Sequence, residues 1–403
     1  MIVAAVLLSG TACTSPSPEG LPAAPSSVAR QVDPPAEAEA LAPNLAVVDD
    51  SVAATWLEPT GGEQRSGHRL RFSLLAGEAW SDPVTIAEGG DFFANWADLP
   101  AVVEMGNGDL LAHWLAKTAD DTYAYSIFLA RSSDGGASWR TVGKLNADDM
   151  ATEHGFVSWV GEGNGARAFW LDGRGMAEGK PMALRTAHIG EVIGPEEVLD
   201  ERTCECCSIG AARTDAGAVL VYRDRSSEEI RDIARVRRRG DGWSTTELVH
   251  ADGWRIDGCP VNGPEIAARE EQAVVAWFTG ASSGPNPGPA VKLAFSRDGA
   301  LSFGEPVIVD AEAPMGRVDV VLDDAGGAWV VWMRLVGEEG EIRLQRVGPD
   351  EERGDAFVVG RTKASRASGF PRLVRLDESL FVAWIEISGE GPQRLRLREL
   401  PIS

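Results

Sequence analysis

A short apolar run that ends in an aromatic residue recurs along this chain at a nearly constant period. The successive aromatics are 58, 56, 52, 55, 55 and 52 residues apart. The seven runs end at Trp56, Trp114, Trp170, Tyr222, Trp277, Trp332 and Trp384. A period this steady indicates repeated structural units that pack on their neighbours in the chain.

Each repeat has the pattern of a small antiparallel sheet. From about residue 43 onward, short alternating or apolar segments are separated by Gly, Asp and Asn turns, without helical periodicity. Such segments are typical of strands, and turns such as 105–109 and 323–327 fit hairpins. With about four strands in each repeat, the sequence predicts an all-β fold, a β-propeller of seven blades. The last repeat supplies three strands, so residues 28–32 are predicted to add the fourth; if they do not, six blades are the alternative.

One turn carries a family signature. Residues 132–139 read SSDGGASW and resemble the Asp-box, the S-x-D-x-G-x-x-W (BNR) repeat of sialidase-type propellers. Residues 296–303 are a degenerate second copy, and 239–243 are a weaker remnant. The resemblance covers about residues 43–400 and implies a sialidase-like propeller. It does not specify an activity, because one fold hosts many functions.

The N-terminus has the pattern of an export signal. Residues 1–13 form a short apolar run that ends in small residues and Cys13, which resembles a bacterial lipoprotein signal peptide. Cys13 would then be lipidated; an ordinary secretory signal is the alternative. Residues 14–42 have the composition of a disordered tether, and residues 43–403 are predicted to form a single propeller domain. We therefore expect a lipoprotein anchored outside the cytoplasm, in the periplasm or at the cell surface.

The net charge restricts the possible partners, and the expected location restricts the chemistry of the cysteines. The net charge of −23 argues against a nucleic-acid partner. A location outside the cytoplasm permits disulfides. We expect the only membrane contact to be the lipid anchor.

The polar residues are distributed unequally between the two faces of the predicted propeller. Loops that lead into the first strands of the blades share one face with loops that leave the second strands, and unusual residues concentrate there. Because propellers bind ligands at such an axial mouth, we predict a binding site on this face. The alternative is that these Arg and Asp residues pair and hold neighbouring blades together. The candidate ligand-binding residues are His154, Arg174, Arg223, Arg225, Glu229, Arg231, Asp232, Asn262, Arg317, Asp319 and Arg366.

Four cysteines are expected to be neighbours on this face. Cys204, Cys206 and Cys207 precede the fourth blade, and Cys259 precedes the fifth. One interpretation is a disulfide between Cys259 and one of the other three. A second is a thiolate site for Cu(I) or Zn(II), and a third is a group of free or vicinally bonded thiols.

The resemblance to sialidases implies a particular catalytic arrangement. It comprises three arginines that grip a carboxylate, a Tyr nucleophile paired with Glu, and an acidic acid/base residue. Tyr222 with Glu229 is the nearest match, but Tyr222 occupies the aromatic position of the repeat and is expected in the core. A glycosidase of another kind needs two carboxylates, for which the catalytic candidates are Asp98, Glu153 and Asp172.

The sequence thus predicts an extracytoplasmic propeller that binds a carbohydrate or an anionic small molecule at its polar mouth. The alternative is an enzyme, either a sialidase-like glycoside hydrolase or a metal-dependent enzyme that uses the cysteines. A third hypothesis is a structural adaptor with a protein partner in the cell envelope.

Overall fold

The described part of the chain forms seven antiparallel sheets. A computed structural model describes residues 29–61, 67–282 and 287–402. The innermost strands of successive sheets contact one another in a closed ring, and each sheet radiates outward as one blade. The chain is therefore a seven-bladed β-propeller, which confirms the prediction and makes the six-bladed alternative wrong. Residues 1–13, which include the predicted signal and Cys13, lie outside the described residues.

The strands of each blade follow one another outward from the axis. Blade one contains Leu41–Val48, Ser51–Pro59, His68–Ala76, Ala79–Trp80 and Val84–Gly89. Blade two contains Ala101–Glu104, Leu110–Lys117, Tyr125–Ser132 and Arg140–Lys144. Blade three contains His154–Glu162, Gly165–Asp172, Ala183–Ile189 and Glu197–Asp200. Blade four contains Gly210–Thr214, Gly217–Arg223, Ile233–Arg239, Gly242–Trp243 and Glu247–His250. Blade five contains Glu265–Arg269, Gln272–Thr279, Ala290–Ser296 and Val307–Asp310. Blade six contains Pro314–Leu322, Ala328–Val336, Glu339–Val347 and Phe357–Lys363. Blade seven contains Arg372–Leu376, Ser379–Glu386, Arg394–Pro401 and Arg30–Gln31. Two 3₁₀ turns span Met176–Glu178 and Arg366–Ser368.

The ring is closed by the N-terminal part of the chain. Arg30–Gln31 is the outermost strand of blade seven and pairs antiparallel with Arg394–Pro401. The Arg30 guanidinium donates to Glu399 at 2.7 Å, and the Leu397 amide donates to Asp33 at 2.9 Å. The predicted N-terminal strand is thus confirmed at residues 30–31. Because strands occupy residues 30–31 and begin again at Leu41, part of the segment assigned to the tether belongs to the propeller.

The recurring aromatic residues anchor most blades through a repeated polar contact. The side chains of Trp56, Trp170, Trp277 and Trp332 are fully buried. Their indole N–H groups donate to Glu58, Asp172, Asp252 and Asp310 over 2.6–3.0 Å. An Arg or Lys side chain also pairs with each of these carboxylates. A Trp suits this position because its apolar ring fills the core while its N–H reaches a buried acceptor.

Tyr222 makes the equivalent contact in blade four. Its hydroxyl donates to Asp200 at 2.5 Å and lies 2.9 Å from the Thr246 hydroxyl. Burial, followed by the charge of Asp200, raises the pKa of Tyr222 well above its ordinary value. The expectation that Tyr222 is a core residue is therefore confirmed.

The two Asp-box-like segments fold as the same turn on the face opposite the cysteines. In the first, Ser132 donates to Asp134 at 2.7 Å, and the Ser138 amide donates to Asp134 at 2.9 Å. Hydrogen bonds from Ser138, followed by Ser132, lower the pKa of Asp134 to about 2. Residues 296–303 repeat these bonds around Asp298. The turn is a structural device, since its polar groups bond to one another. Within the described residues, no helix is long and apolar enough to cross a membrane.

Candidate functional site

The loops that lead into the innermost strands bring the four cysteines together on one face, which we call the mouth. The Sγ atoms of Cys204, Cys206 and Cys207 all lie within 4.8 Å of one another. The Sγ atoms of Cys204 and Cys207 are 3.2 Å apart. Cys259, from the loop before blade five, lies next to Cys206. All four thiols are free in this structure, so the predicted proximity is observed while the disulfide is not.

The four sulfurs lie at different depths. Cys204 and Cys207 are each 1% exposed, Cys206 is half-buried, and Cys259 is exposed. The cluster therefore extends from the surface of the mouth into the interior between blades four and five. A ligand or reagent from solvent meets Cys259 first.

Two buried arginines lie beside the deepest sulfurs. The Arg231 guanidinium donates to the Cys204 sulfur at 3.2 Å, and the positive charge of Arg223 acts on Cys204 and Cys207. Hydrogen bonds from Cys206 and Cys207, together with both arginines, hold the pKa of Cys204 well below its ordinary value. Burial raises the pKa of Cys207 to about 12. Cys204 is thus the sulfur that carries the thiolate charge most readily.

An ion network fixes Arg231 in this position. Arg231 donates to Glu205 at 3.1 Å and to Glu229 at 2.8 Å. Arg225 bridges the same two carboxylates. The hydrogen bonds from Arg225, followed by that from Arg231, lower the pKa of Glu229 to about 2. The predicted binding residues Arg225, Glu229 and Arg231 therefore form one ion network, which Arg231 joins to the cysteine cluster.

Arg223 ties blade four to blade five. Its guanidinium is buried, donates to the backbone carbonyls of Asn262, Arg231 and Phe278 over 2.6–3.0 Å, and lies over the Trp254 ring. These bonds occupy four of the five donors of an Arg side chain. Arg223 thus supports the loops and is not placed to grip a ligand, contrary to its prediction as a binding residue.

Two further binding candidates also serve the backbone. Asp232 accepts hydrogen bonds from the amides of Gly253 and Trp254 at 2.8 and 2.9 Å. The Asn262 side chain accepts one from the Arg317 amide at 2.7 Å. Both side chains shape the loops around Cys259, and neither is directed at an open site.

Blade six and the loops before blades two and seven supply a cation and an aromatic pair to the mouth. Arg317 donates to the carbonyls of Ser365 and Gly369 and lies over the rings of Trp96 and Phe370. Burial, followed by the nearby charge of Arg366, lowers the pKa of Arg317 to about 10. The Arg366 side chain is exposed. Among the arginine candidates, Arg366 is therefore the one presented to solvent at this face.

The candidates in blade three form a closed ionic group. Asp172 is buried and accepts bonds from Trp170 and Arg174, and His154 Nε2 lies 3.1 Å from Asp148. Asp148, His154 and Asp172 have the spacing of metal ligands. However, the Arg174 guanidinium lies 3.0 Å from Asp148 and 2.7 Å from Asp172, in the space that an ion would need. Asp172 is thus a structural carboxylate, which corrects its prediction as a catalytic residue.

A Tyr–Glu pair does occur at the mouth, with a tyrosine that the sequence interpretation missed. The Tyr125 hydroxyl donates to Glu153 at 2.6 Å. Asp98 accepts bonds from the Phe156 amide, and burial, with a contribution from the Glu153 charge, raises its pKa to about 8. Tyr125 is fully buried against Phe93, with ring centroids 4.0 Å apart. Its hydroxyl cannot reach a substrate from this position.

An axial cavity lies below the mouth. It has a volume of about 260 Å³ and is lined by residues of all seven blades. Its charged residues are Asp98, Glu265, Asp319 and Arg372. Arg372 donates to Glu265 at 2.8 Å and lies 3.2 Å from Asp319, while the Leu373 amide donates to Asp319. Burial raises the pKa of Glu265 to about 7. Glu265 and Arg372 were missed because nothing in their local sequence distinguishes them from other strand residues.

Comparisons with known proteins identify the fold. No protein-family model and no curated protein matches the chain. Among solved structures, the polysaccharide lyase Uly1 has a TM-score of 0.54 at 10% identity, over 89% of this chain and 90% of that one. A Dyadobacter fermentans protein of unknown function has a TM-score of 0.52 at 13% identity, over 94% and 100%. The Hadza microbial sialidase Hz136 has a TM-score of 0.50 at 11% identity, over 83% and 73%. The chain thus shares its fold with sialidase-like propellers.

Proposed function

We propose that this propeller binds a soft metal ion, Cu(I) or Zn(II), through the sulfurs of Cys204, Cys206, Cys207 and Cys259. The observation that carries the proposal is the convergence of three sulfurs within 4.8 Å, with the fourth beside Cys206. Thiolate ligands select soft ions of this kind. The ion would sit at the mouth, between the loops that lead into blades four and five.

The surroundings of the sulfurs fit such an ion. Several thiolates around one ion leave an excess of negative charge, which is costly to bury without a counter-charge. The buried guanidinium groups of Arg223 and Arg231 provide that counter-charge. Because four sulfur ligands fill a tetrahedral ion, the arrangement suits a role in holding or carrying metal rather than in hydrolysis.

The test is the metal content of protein purified without a metal-affinity tag, measured by elemental analysis. We expect about one equivalent of copper or zinc per chain, as for a single thiolate site. The ion should be lost in Cys204→Ser and in Cys206→Ser and retained in the control Cys13→Ser, with circular dichroism confirming that each variant is folded. Sub-stoichiometric metal in the wild-type protein, even after reconstitution under reducing conditions, would refute the proposal.

A second function is supported by another part of the mouth. There, exposed Arg366 lies close to Arg317, whose guanidinium contacts the rings of Trp96 and Phe370. An exposed cation at the mouth suits an anionic carbohydrate, since its guanidinium pairs with a carboxylate or sulfate. Solved structures of the same fold include a polysaccharide lyase and a sialidase. We propose an anionic carbohydrate as ligand here.

A glycan array tests this second function. Binding to acidic glycans should be detectable for the wild-type protein and abolished in Arg366→Ala, while Arg361→Ala, an exposed arginine outside the mouth, should bind normally. The proposal of an acidic glycan as ligand would be contradicted if the array gave no acidic-glycan signal. It would also be contradicted if Arg366→Ala bound acidic glycans as well as the wild-type protein does.

We also propose that the protein acts outside the cytoplasm, anchored through a lipid on Cys13. Residues 1–13 support this proposal through their likeness to a lipoprotein signal. Mass spectrometry of the protein extracted from membranes should find a lipidated Cys13 at the mature N-terminus. Recovery of Cys13→Ser in the same membrane fraction as the wild-type protein would contradict the anchor.

A further inference from the structure

The four sulfurs form two pairs that differ in access to solvent. Cys204 and Cys207 form the inner pair, with sulfurs 3.2 Å apart and both side chains buried. Cys206 and Cys259 form the outer pair, in which exposed Cys259 lies next to half-buried Cys206. A reagent as large as a disulfide can therefore approach the outer pair and is shielded from the inner one.

We propose that Cys206 and Cys259 are a redox-active dithiol that exchanges with external disulfides in the metal-free protein. The Cys259 thiolate attacks the external disulfide, which releases one thiolate and leaves a mixed disulfide on Cys259. The Cys206 sulfur then attacks the Cys259 sulfur, which forms the Cys206–Cys259 bond and releases the second thiolate. Two protein thiols are oxidised and one external disulfide is reduced to two thiols. The two protons leave the protein thiols and are taken up by the released thiolates.

The roles follow from position. Cys259 lies on the exposed loop before blade five, where an incoming disulfide reaches it first. Cys206 lies behind it on the loop before blade four, and its place beside Cys259 suits a resolving residue. Arg223 already joins these loops, because its backbone carbonyl accepts a hydrogen bond from the Cys204 amide at 3.0 Å and its guanidinium donates to the Asn262 carbonyl at 2.8–3.0 Å. The product would therefore link two loops that are already held together.

This activity is separate from metal binding, because it is assigned to the protein without metal. The two processes nevertheless compete for the same sulfurs. A Cys206–Cys259 bond would remove two of the four metal ligands, and bound metal would protect both thiols from exchange. Metal content is therefore measured on reduced protein, and exchange is measured after chelation. A failure of the metal-binding proposal can then be distinguished from a failure of the disulfide-exchange proposal.

The exchange is tested with full-length protein that carries Cys13→Ser in every variant, reduced, freed of metal and then mixed with oxidised glutathione. Peptide mapping by mass spectrometry should find the Cys206–Cys259 disulfide first, while Cys204 and Cys207 remain reduced. In Cys206→Ser, a glutathione adduct should accumulate on Cys259. Cys259→Ser should react more slowly by about tenfold or more, because the remaining sulfurs are less accessible.

A measurement without cysteine variants guards against misfolding. A short pulse of iodoacetamide on the reduced, metal-free wild-type protein should alkylate Cys259 before Cys204, Cys206 and Cys207. The proposal is overturned if Cys204–Cys207 is the first disulfide, if Cys259→Ser reacts at the wild-type rate, or if the pulse labels an inner cysteine first.

Discussion

The guanidinium of Arg231 donates a hydrogen bond to the sulfur of Cys204 over 3.2 Å, and both side chains are buried. A buried cation beside a thiol favours the thiolate form, which is the form that binds metal. The same guanidinium bonds to Glu205 and Glu229, so the loop before blade four and the loop between its second and third strands set its position. The chemistry of the cysteines thus depends on an ion network in the surrounding loops.

Replacing this cation should weaken metal binding. We expect Arg231→Leu to lower the affinity for copper or zinc by about 10- to 100-fold, the usual effect of losing a residue that supports a metal ligand. Arg366→Leu is the matched control, because it removes an exposed cation from the same face. Competition against a coloured chelator measures both affinities. An unchanged affinity in Arg231→Leu would show that the contact with Cys204 does not matter for metal binding.

Stability should fall as the pH rises, in part because of Asp98. Its pKa is about 8 in the folded protein and 3.8 as a free side chain, since burial disfavours the charged form. The folded state therefore binds this proton more tightly, and the associated stability is fully present below about pH 4 and is lost as the pH rises through 8. The slope between these limits is about 1.4 kcal/mol per pH unit for this group.

Asp98→Asn should remove this contribution. Because Glu265 has a folded pKa of about 7, some decline of stability with pH should remain in the variant. Urea unfolding between pH 5 and 8 measures the slope, and Asp120→Asn provides an exposed control. Equal slopes for Asp98→Asn and the wild-type protein would mean that Asp98 is already ionised in the fold.

Tyr222→Phe should affect stability and leave binding intact. The change removes the hydroxyl that bonds to Asp200 and Thr246, and a lost buried bond of this kind costs about 1–3 kcal/mol. Urea unfolding should show this loss, whereas Tyr123→Phe, at an exposed position, should not. Loss of metal or glycan binding in a stable Tyr222→Phe variant would assign Tyr222 a functional role instead.

Removal of residues 1–33 should destabilise the ring. The truncation deletes strand Arg30–Gln31 and the acceptor Asp33, and it exposes the edge of Arg394–Pro401. Several hydrogen bonds are lost at about 1 kcal/mol each, so the melting temperature should fall by several degrees. The reference is a protein that lacks only residues 1–28 and keeps the strand. Equal melting temperatures for the two truncations would show that this strand does not contribute to closure.

The fold was predictable because its signal is periodic. Each repeat contains an apolar strand that ends in an aromatic residue with a polar N–H or O–H group, such as Trp332. These residues recur in the sequence at a regular interval. The strand at Arg30–Gln31 was also predictable, since the last repeat lacks a fourth strand. Residues whose role depends on contacts between blades show no such periodic pattern in the sequence. Arg372 contacts Glu265, which is 107 positions away in the chain.

The candidate site was predictable only in part, for a related reason. The loop order placed Cys259 beside Cys204, Cys206 and Cys207, and the structure brings them together. The partners of each arginine could not be read from composition. Arg223 therefore looked like a binding residue, although its guanidinium bonds to backbone carbonyls. Tyr125 was overlooked because its partner Glu153 belongs to the next blade.

The central claim is that the four cysteines at the mouth hold a soft metal ion. X-ray absorption spectroscopy of zinc-loaded protein tests it most directly, because it reports which atoms surround the ion. We expect about one equivalent of zinc with sulfur neighbours at about 2.3 Å. A shell of nitrogen and oxygen at about 2.0–2.2 Å, or no stoichiometric zinc, would contradict the claim.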